Sequence, residues 1–459
     1  MPAIAEAAAR PSLLRNRSHR LPTFGVILVI TVAAVEAMSV ATVMPTAVRS
    51  LHGLHYYGWA FTAFFLGDIV GMVDAGRRCD RLGPGASLVG GLALFASGLI
   101  TASAAPDMAV FVTGRALQGL GAGALIVAVY VVVARAFPAE LRPRAFAALS
   151  AAWVLPALIG PVAAGAVADA FGWRWVFIGI APLAAIGALA LVPVVRRLPA
   201  SSASQSAVPR LGALGSIFLA GGLAAIQAGG TELGVLGAIA AAAGFAVIIP
   251  PLRRLLPDGA LRLARGLPTV IVLRGVLTAA FFGAEAYLPL TLTRLYHGSP
   301  TVVGIPLTLG ALGWSSASWW QGRHPAGERR TAFLMRGFCL VAVGVAALCT
   351  LAAASLSLWV AAPIWAVSGA GMGLAMPTIS VLMLTLSPTH EQGVNTAALQ
   401  VTDVLGSVIA ITAGACVIDA LPSARFSTAI IALDLALAGV ALLGALASRR
   451  AGGQISSAT

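Results

Sequence analysis

Fourteen apolar stretches divide this chain, and the arginines between them fall on alternate sides. The stretches run over 22–47, 57–75, 84–104, 108–134, 145–170, 175–195, 211–228, 233–250, 268–293, 301–320, 331–353, 356–386, 392–419 and 426–447. Each holds about 17 residues or more, enough to cross a hydrocarbon core of about 30 Å as a helix rising about 1.5 Å per residue. The chain has no lysine, so its 29 basic residues are all arginine. The N-terminus and every second connection carry Arg10, Arg15, Arg17 and Arg20; Arg77, Arg78 and Arg81; Arg135, Arg142 and Arg144; Arg196, Arg197 and Arg210; Arg253, Arg254, Arg262 and Arg265; Arg323, Arg329 and Arg330; and Arg449 and Arg450. That is 22 of the 29, against only Arg49, Arg174, Arg294 and Arg425 in the opposite connections. Positive charge is retained on the cytoplasmic side, so both termini are expected there. The bias survives only if the number of spans is even.

Composition agrees. A mean hydropathy of +0.93 with 59 % hydrophobic and 10 % charged residues excludes an ordinary soluble domain. The pI near 11.1 is assigned to arginines facing anionic lipid headgroups, not to nucleic-acid binding. The first apolar run is too long for a signal-peptide core and lacks a small-residue cleavage site, so it is read as a retained helix. Cys79, Cys339, Cys349 and Cys416 show no metal-ligand spacing and are read as small buried apolar residues. The six histidines lie in polar connections. His52 and His55 form a short pair, without further ligands to make a metal site. No cofactor, metal or catalytic residue is expected, and no nucleotide-binding loop is present.

The longest internal polar stretch, Arg196 to Arg210, reads as a linker rich in Ser, Ala and Pro. Six spans precede it; two short Gly/Ala-rich spans and an arginine-rich connection follow, and six more spans complete the chain. The two sets of six echo one another. Arg115-Ala-Leu-Gln118-Gly119-Leu-Gly121-Ala-Gly123 is matched 250 residues on by Trp365-Ala-Val-Ser368-Gly369-Ala-Gly371-Met-Gly373. Gly58 to Gly76, followed by Arg77, is matched 246 residues on by Gly304 to Gly322, followed by Arg323. Two echoes at nearly one offset point to a duplicated six-helix unit.

Several segments carry a family resemblance. Gly76-Arg77-Arg78-Cys79-Asp80-Arg81-Leu82-Gly83 resembles the loop motif between spans 2 and 3 of the major facilitator superfamily, with Pro84 and Gly85 in place of its final basic pair. Arg115 with Gln118 and Gly119 resembles its span 4 motif. Pro156-Ala-Leu-Ile-Gly160-Pro161-Val-Ala-Ala164-Gly165 is similar to the span 5 motif of its antiporters, where small residues permit close helix contact and prolines bend the helix. Gly172-Trp173-Arg174-Trp175-Val176-Phe177 is similar to a signature of fourteen-span drug:proton antiporters, and physically reads as an interfacial anchor. Glu36-Ala-Met-Ser-Val-Ala-Thr-Val-Met-Pro45 resembles the acidic span 1 segment of that branch, with glutamate for aspartate.

The resemblance implies an all-α integral membrane fold: two six-helix bundles related by a pseudo-two-fold axis, with an inserted two-helix hairpin. The N-terminal bundle would occupy 1–200, the linkers and hairpin 201–267, and the C-terminal bundle 268–459. Spans 1, 4, 9 and 12 would line a central cavity, with Trp365, Met372 and Met376 as candidate substrate contacts. Gly76, Asp80, Arg81, Gly83, Gly160 and Pro161 would serve the conformational cycle.

The charged residues inside the spans point the same way. An intramembrane charge is costly and marks a partner or a solvated path. Glu36 lies near mid-span, where apolar surroundings favour its neutral form, as suits a proton carrier. Glu285 sits in the corresponding region of span 9. Asp68, and Asp403 one helical turn beyond Gln400, are further candidates. Arg115 is expected to meet Glu36 or Asp68, with Gln118 nearby. These residues suggest a proton-coupled exporter of amphipathic compounds, working as a monomer in the plasma membrane with protons, substrate and lipids as its only partners. The alternative is export of an endogenous lipid or lipid-like metabolite. A non-transport sensor or scaffold ranks third, since no soluble signalling domain accompanies the spans, and an enzyme is not expected. Cysteine-accessibility labelling tests the topology: residue 230 should react from outside and residue 203 from the cytoplasm, whereas labelling of both from one side removes the hairpin.

Overall fold

The computed structural model describes residues 17–138, 141–195, 212–232, 234–323, 330–353, 356–388, 391–421 and 425–452. Among them are fourteen α-helices: α1 Arg17–Ser50, α2 Tyr57–Leu82, α3 Pro84–Ser103, α4 Met108–Ala136, α5 Arg142–Phe171, α6 Arg174–Val195, α7 Ala213–Thr231, α8 Val235–Leu255, α9 Leu267–Tyr296, α10 Pro300–Arg323, α11 Arg330–Ala353, α12 Ala361–Leu386, α13 Gln392–Ala420 and α14 Phe426–Ala447. Twelve are long and apolar enough to cross a membrane. The other two are α5, which contributes the shorter apolar segment Leu155–Phe171, and α10. The last ten residues of α10 hold three serines, three tryptophans and a glutamine, which dilute its apolar character.

Local chemistry sets the helix ends. Asp107 caps α4 by accepting a hydrogen bond from Val110 N at 2.9 Å. Gly83 closes α2 at φ +81°, a conformation that favours glycine, and Pro84 then starts α3 where its missing N–H costs nothing.

Helix partners repeat along the chain. α2 and α3 pack on α4, α1 packs on α5 and α6, and α3 on α6. Eight helices later, α10 and α11 pack on α12, α9 on α13 and α14, and α11 on α14. Between these groups α5 packs on α10 and α2 on α13. The glycines of the sequence echo make matching contacts. A side chain on Gly119 would strike the Phe64 carbonyl, and one on Gly369 the Gly310 carbonyl. Gly123 meets the Asp68 carbonyl and Gly373 that of Trp314. The middle glycines turn to the third helix, Gly121 against Gly91 and Phe95, and Gly371 against Gly337 and Val341. Small residues thus bring backbones together where hydrocarbon gives helices little apolar drive to associate.

α7 and α8 pack on each other, and α7 lies against both α2 and α13. Fully buried Gln227 of α7 accepts hydrogen bonds from Thr62 of α2 and Thr412 of α13. The sequence had marked the hairpin as an insertion but gave no sign of this bridge. Gly230 is packed against Cys416 and Thr412, so exposed Glu232 is a better labelling position for the turn. Residue 203 lies outside the described residues.

Replacing Gly119 by Leu should separate α2 from α4 and destabilise the fold by at least the ~1–3 kcal/mol typical of overpacking. Gly90→Ala, where a Cβ meets nothing within 4 Å, should be neutral. Thermal unfolding of the purified proteins separates the two; equal melting temperatures would refute the contact.

Candidate functional site

Five charged residues of the spans, Glu36, Asp68, Arg115, Arg274 and Asp403, come together where the two groups of helices meet. Glu36 on α1 and Arg115 on α4 form an ion pair, with only 1 % and 3 % of their surfaces exposed. The Arg115 Nη1 also donates to the side-chain oxygen of Gln118, one turn along the same helix. Its Nε donates to the Ala60 carbonyl at 2.9 Å, and its guanidinium lies over the Phe64 ring at 4.6 Å. An arginine at this depth would be expensive alone, and these contacts offset its desolvation. Arg115 therefore meets Glu36, one of the two acids the sequence offered.

A second pair faces the first. Arg274 Nη2 on α9 donates to Asp403 Oδ2 on α13 at 2.8 Å. The sequence places Asp403 only beside Gln400, one helical turn away. It does not show the pairing of Arg274 with Asp403, because 129 residues separate them and no local spacing joins α9 to α13. Hydrogen bonds from Thr278 to the Asp403 carbonyl, 2.9 Å, and from Thr402 to the Ile271 carbonyl, 3.0 Å, fix the two helices.

Asp68 on α2 lies within electrostatic range of both Glu36 and Asp403. It is 6 % exposed, and its Oδ1 has no hydrogen-bond partner. Among the described residues the cluster thus sets three carboxyls against two arginines, with Asp68 the acid that no arginine holds. Glu285 stands apart, half-buried on α9 and beside the Trp365 indole, whose Nε1 makes no hydrogen bond of normal geometry.

The remaining candidates divide. Trp365 is fully buried and stacks on Phe281 with centroids 4.7 Å apart; Met372 is also fully buried, and Met376 keeps partial exposure. Gly76 is open, with nothing within 4 Å of a Cβ, and Arg81 is exposed. Asp74 pairs with Arg78 at 2.6 Å. The side chain of Asp80 lies outside the described residues. A Cβ on Gly160 would meet Met38 of α1 at ordinary contact distance, while the Pro161 carbonyl lies against Gly304 of α10 and Gly165 against Pro300. The span 5 motif is thereby placed at the contact between α5 and α10. Trp173 is not an interfacial anchor: it is 4 % exposed, and its Nε1 donates to Ser50 Oγ at 2.7 Å. Phe111 and Phe177 enclose its ring, while Arg174 and Trp175 remain exposed.

Polar contacts between the first six and last six helices lie at the end where α1 stops and α2 begins. Tyr57 donates to the Ala286 carbonyl at 2.6 Å, His55 Nδ1 approaches Asp419 at 3.2 Å, and Asp169 accepts from the Thr301 backbone at 3.0 Å. The Gln227 bridge joins the same end.

Helices of this length and composition around buried paired charges define a multi-pass membrane protein of the transporter type. The sequence pattern of the Major Facilitator Superfamily matches residues 26–411, and the chain belongs to that family. A Mycobacterium tuberculosis protein named "Probable multidrug-efflux transporter" is 33 % identical over 153 residues, covering 33 % of this chain and 32 % of its own. Multidrug resistance protein 3 of Bacillus subtilis is 28 % identical over 182 residues, 40 % of this chain and 35 % of that one. The chain spans about a third of the length of these curated relatives. A crystal structure of an auto-inhibited peptide transporter of the POT family superposes with a TM-score of 0.71 at 15 % identity, over 95 % of this chain and 98 % of that one, a likeness of fold. The family and these relatives are transporters, not enzymes.

Arg115→Met should leave Glu36 buried without a counter-charge and cost about 3–5 kcal/mol of stability. Adding Glu36→Gln should restore much of that loss in a thermal-unfolding cycle. Additive losses would show that the two side chains do not act as a pair.

Proposed function

We propose that this chain is a secondary transporter that exports amphipathic compounds in exchange for protons by alternating access. The observation that carries the reading is the buried cluster of Glu36, Arg115, Asp68, Arg274 and Asp403 between the two groups of helices. Relatives named for multidrug efflux support the substrate class.

The two six-helix units, 1–200 and 268–459, would rock about the cluster, with the 201–267 segment as the inserted hairpin and fourteen spans in all. The repeated helix partners and matched glycine contacts support that duplication. The arginine bias supports cytoplasmic termini in a plasma membrane. In that orientation the contacts made by Tyr57, Gln227, His55 and Asp169 close the outer side.

The charge arrangement gives protonation a structural consequence. Asp68 can take a proton without breaking an ion pair. Glu36 can do so only as Arg115 shifts its bonds, which links its proton to movement of α4 against α1. Glu285 would be a second acid beside Trp365; Met376, which keeps partial exposure, would contact substrate in this state, and buried Trp365 and Met372 only in another. A substrate that binds while a carboxyl is ionised then exchanges against a proton, because the change of access alters the hydration of the site.

Glu36→Gln keeps the side chain's shape and leaves Arg115 its contacts with Gln118 and the Ala60 carbonyl. It should abolish export driven by a pH gradient in proteoliposomes, while Glu36→Asp retains part of it. Asp68→Asn should uncouple as well, letting substrate equilibrate without proton movement. Wild-type rates in both Glu36→Gln and Asp68→Asn would overturn the assignment.

A further inference from the structure

A groove of about 370 Å³ opens on the outer face of α10, α11 and α12, away from the charge cluster. Trp320, Phe333, Leu340, Val343 and Leu374 line it, together with Arg336. Its volume falls in the range of small-molecule sites, about 300–1,000 Å³. Its wall is apolar and outward-facing, with Trp320 45 % and Val343 61 % exposed. In a helix bundle that crosses a bilayer, such a face meets lipid chains.

Arg336 is the anomaly. It lies on the exposed side of α11, six residues past the helix start at Arg330, and has no hydrogen bond or ion pair with the described residues. Six residues correspond to a rise of about 9 Å, which the long arginine side chain can span back toward the headgroups. An arginine on a lipid-facing helix needs an anionic oxygen, and the groove lining offers no carboxyl. Further arginines stand at the same end of these helices. Arg323 stacks on Trp319 at 3.7 Å, and Arg330 donates to Thr385 at 3.1 Å. The tilted Trp320–Phe333 pair, with centroids 5.8 Å apart, makes a wall against which an acyl chain can lie.

We propose that this groove is a binding site for one anionic phospholipid of the arginine-rich leaflet, its phosphate held by Arg336 and one acyl chain laid along Trp320, Phe333, Leu340 and Val343. A groove lining that holds Arg336 and no carboxyl favours a headgroup of net negative charge over a zwitterionic one. A planar guanidinium can grip two phosphate oxygens through a pair of parallel N–H bonds, whereas ammonium acts as a point charge.

The test is native mass spectrometry of the full chain in mild detergent, with phosphatidylglycerol and phosphatidylcholine of matched acyl chains as probes. Wild type should retain one phosphatidylglycerol, several-fold more than phosphatidylcholine. Arg336→Gln should lose that preference, and Arg336→Lys should keep part of it. Leu340→Trp, which fills the groove and leaves every arginine in place, should also release the lipid. Arg253→Gln, in another connection of the arginine-rich side, should change nothing. Retention by both Arg336→Gln and Leu340→Trp at the wild-type level overturns the proposal. So does equal retention of both lipids by wild type, or an equal loss in Arg253→Gln, which would mean diffuse charge attraction only. If one groove variant fails to fold, as judged by its elution as an aggregate, the other decides.

Discussion

The close approach of α4 to α2 and α3, and of α12 to α10 and α11, is the contact on which the rest of this structure depends. Lipid chains are as apolar as leucine, so burying leucine between helices gains little in a membrane. What remains is contact at short range, and Gly119, Gly121 and Gly123 supply it by exposing backbone to backbone. The same spacing in Gly369, Gly371 and Gly373 supplies it again. Larger residues here would push the helices apart and open gaps that neither water nor lipid fills well.

That packing is what makes the buried charges tolerable. Arg115 sits one turn before Gly119, so the contact that joins α4 to α2 also seats its guanidinium against the Ala60 carbonyl and the Phe64 ring. Glu36 then completes the pair from α1. In the other half, Gly406 against the Gly275 carbonyl draws α13 to α9, and the Arg274–Asp403 pair lies beside that contact. Each ion pair is thus held within its own group of helices. Asp68, carried by α2 at the face toward α13, is left between them.

The links between the groups differ in kind. Beside the close backbone contact of α5 with α10, their polar links among the described residues are hydrogen bonds and a histidine–aspartate contact gathered at one end of the bundle. Bonds of this sort are individually weak, about 0.5–1.5 kcal/mol net. The hairpin adds to them through Gln227, which spans α2 and α13 at the same end. The helix pair that looked like a passive insertion is therefore attached where the two groups meet.

The sequence by itself determined the family, the helical class, the positions of nearly all helices and the duplicated glycine pattern. These are local or periodic properties: an apolar run of given length, an arginine retained on one side, a glycine every second residue. It also named Glu36, Asp68, Arg115 and Asp403 as costly intramembrane charges, since the cost of a charge in hydrocarbon can be read one residue at a time. Tertiary structure alone decided which of them meet. The pairing of Arg274 with Asp403, the bridge through Gln227, the burial of Trp173 and the unpaired groove arginine Arg336 all depend on which faces of distant helices turn toward one another. Helices that are apolar nearly all round leave that rotation unmarked in their own sequence, so only the packing of the whole bundle fixes it.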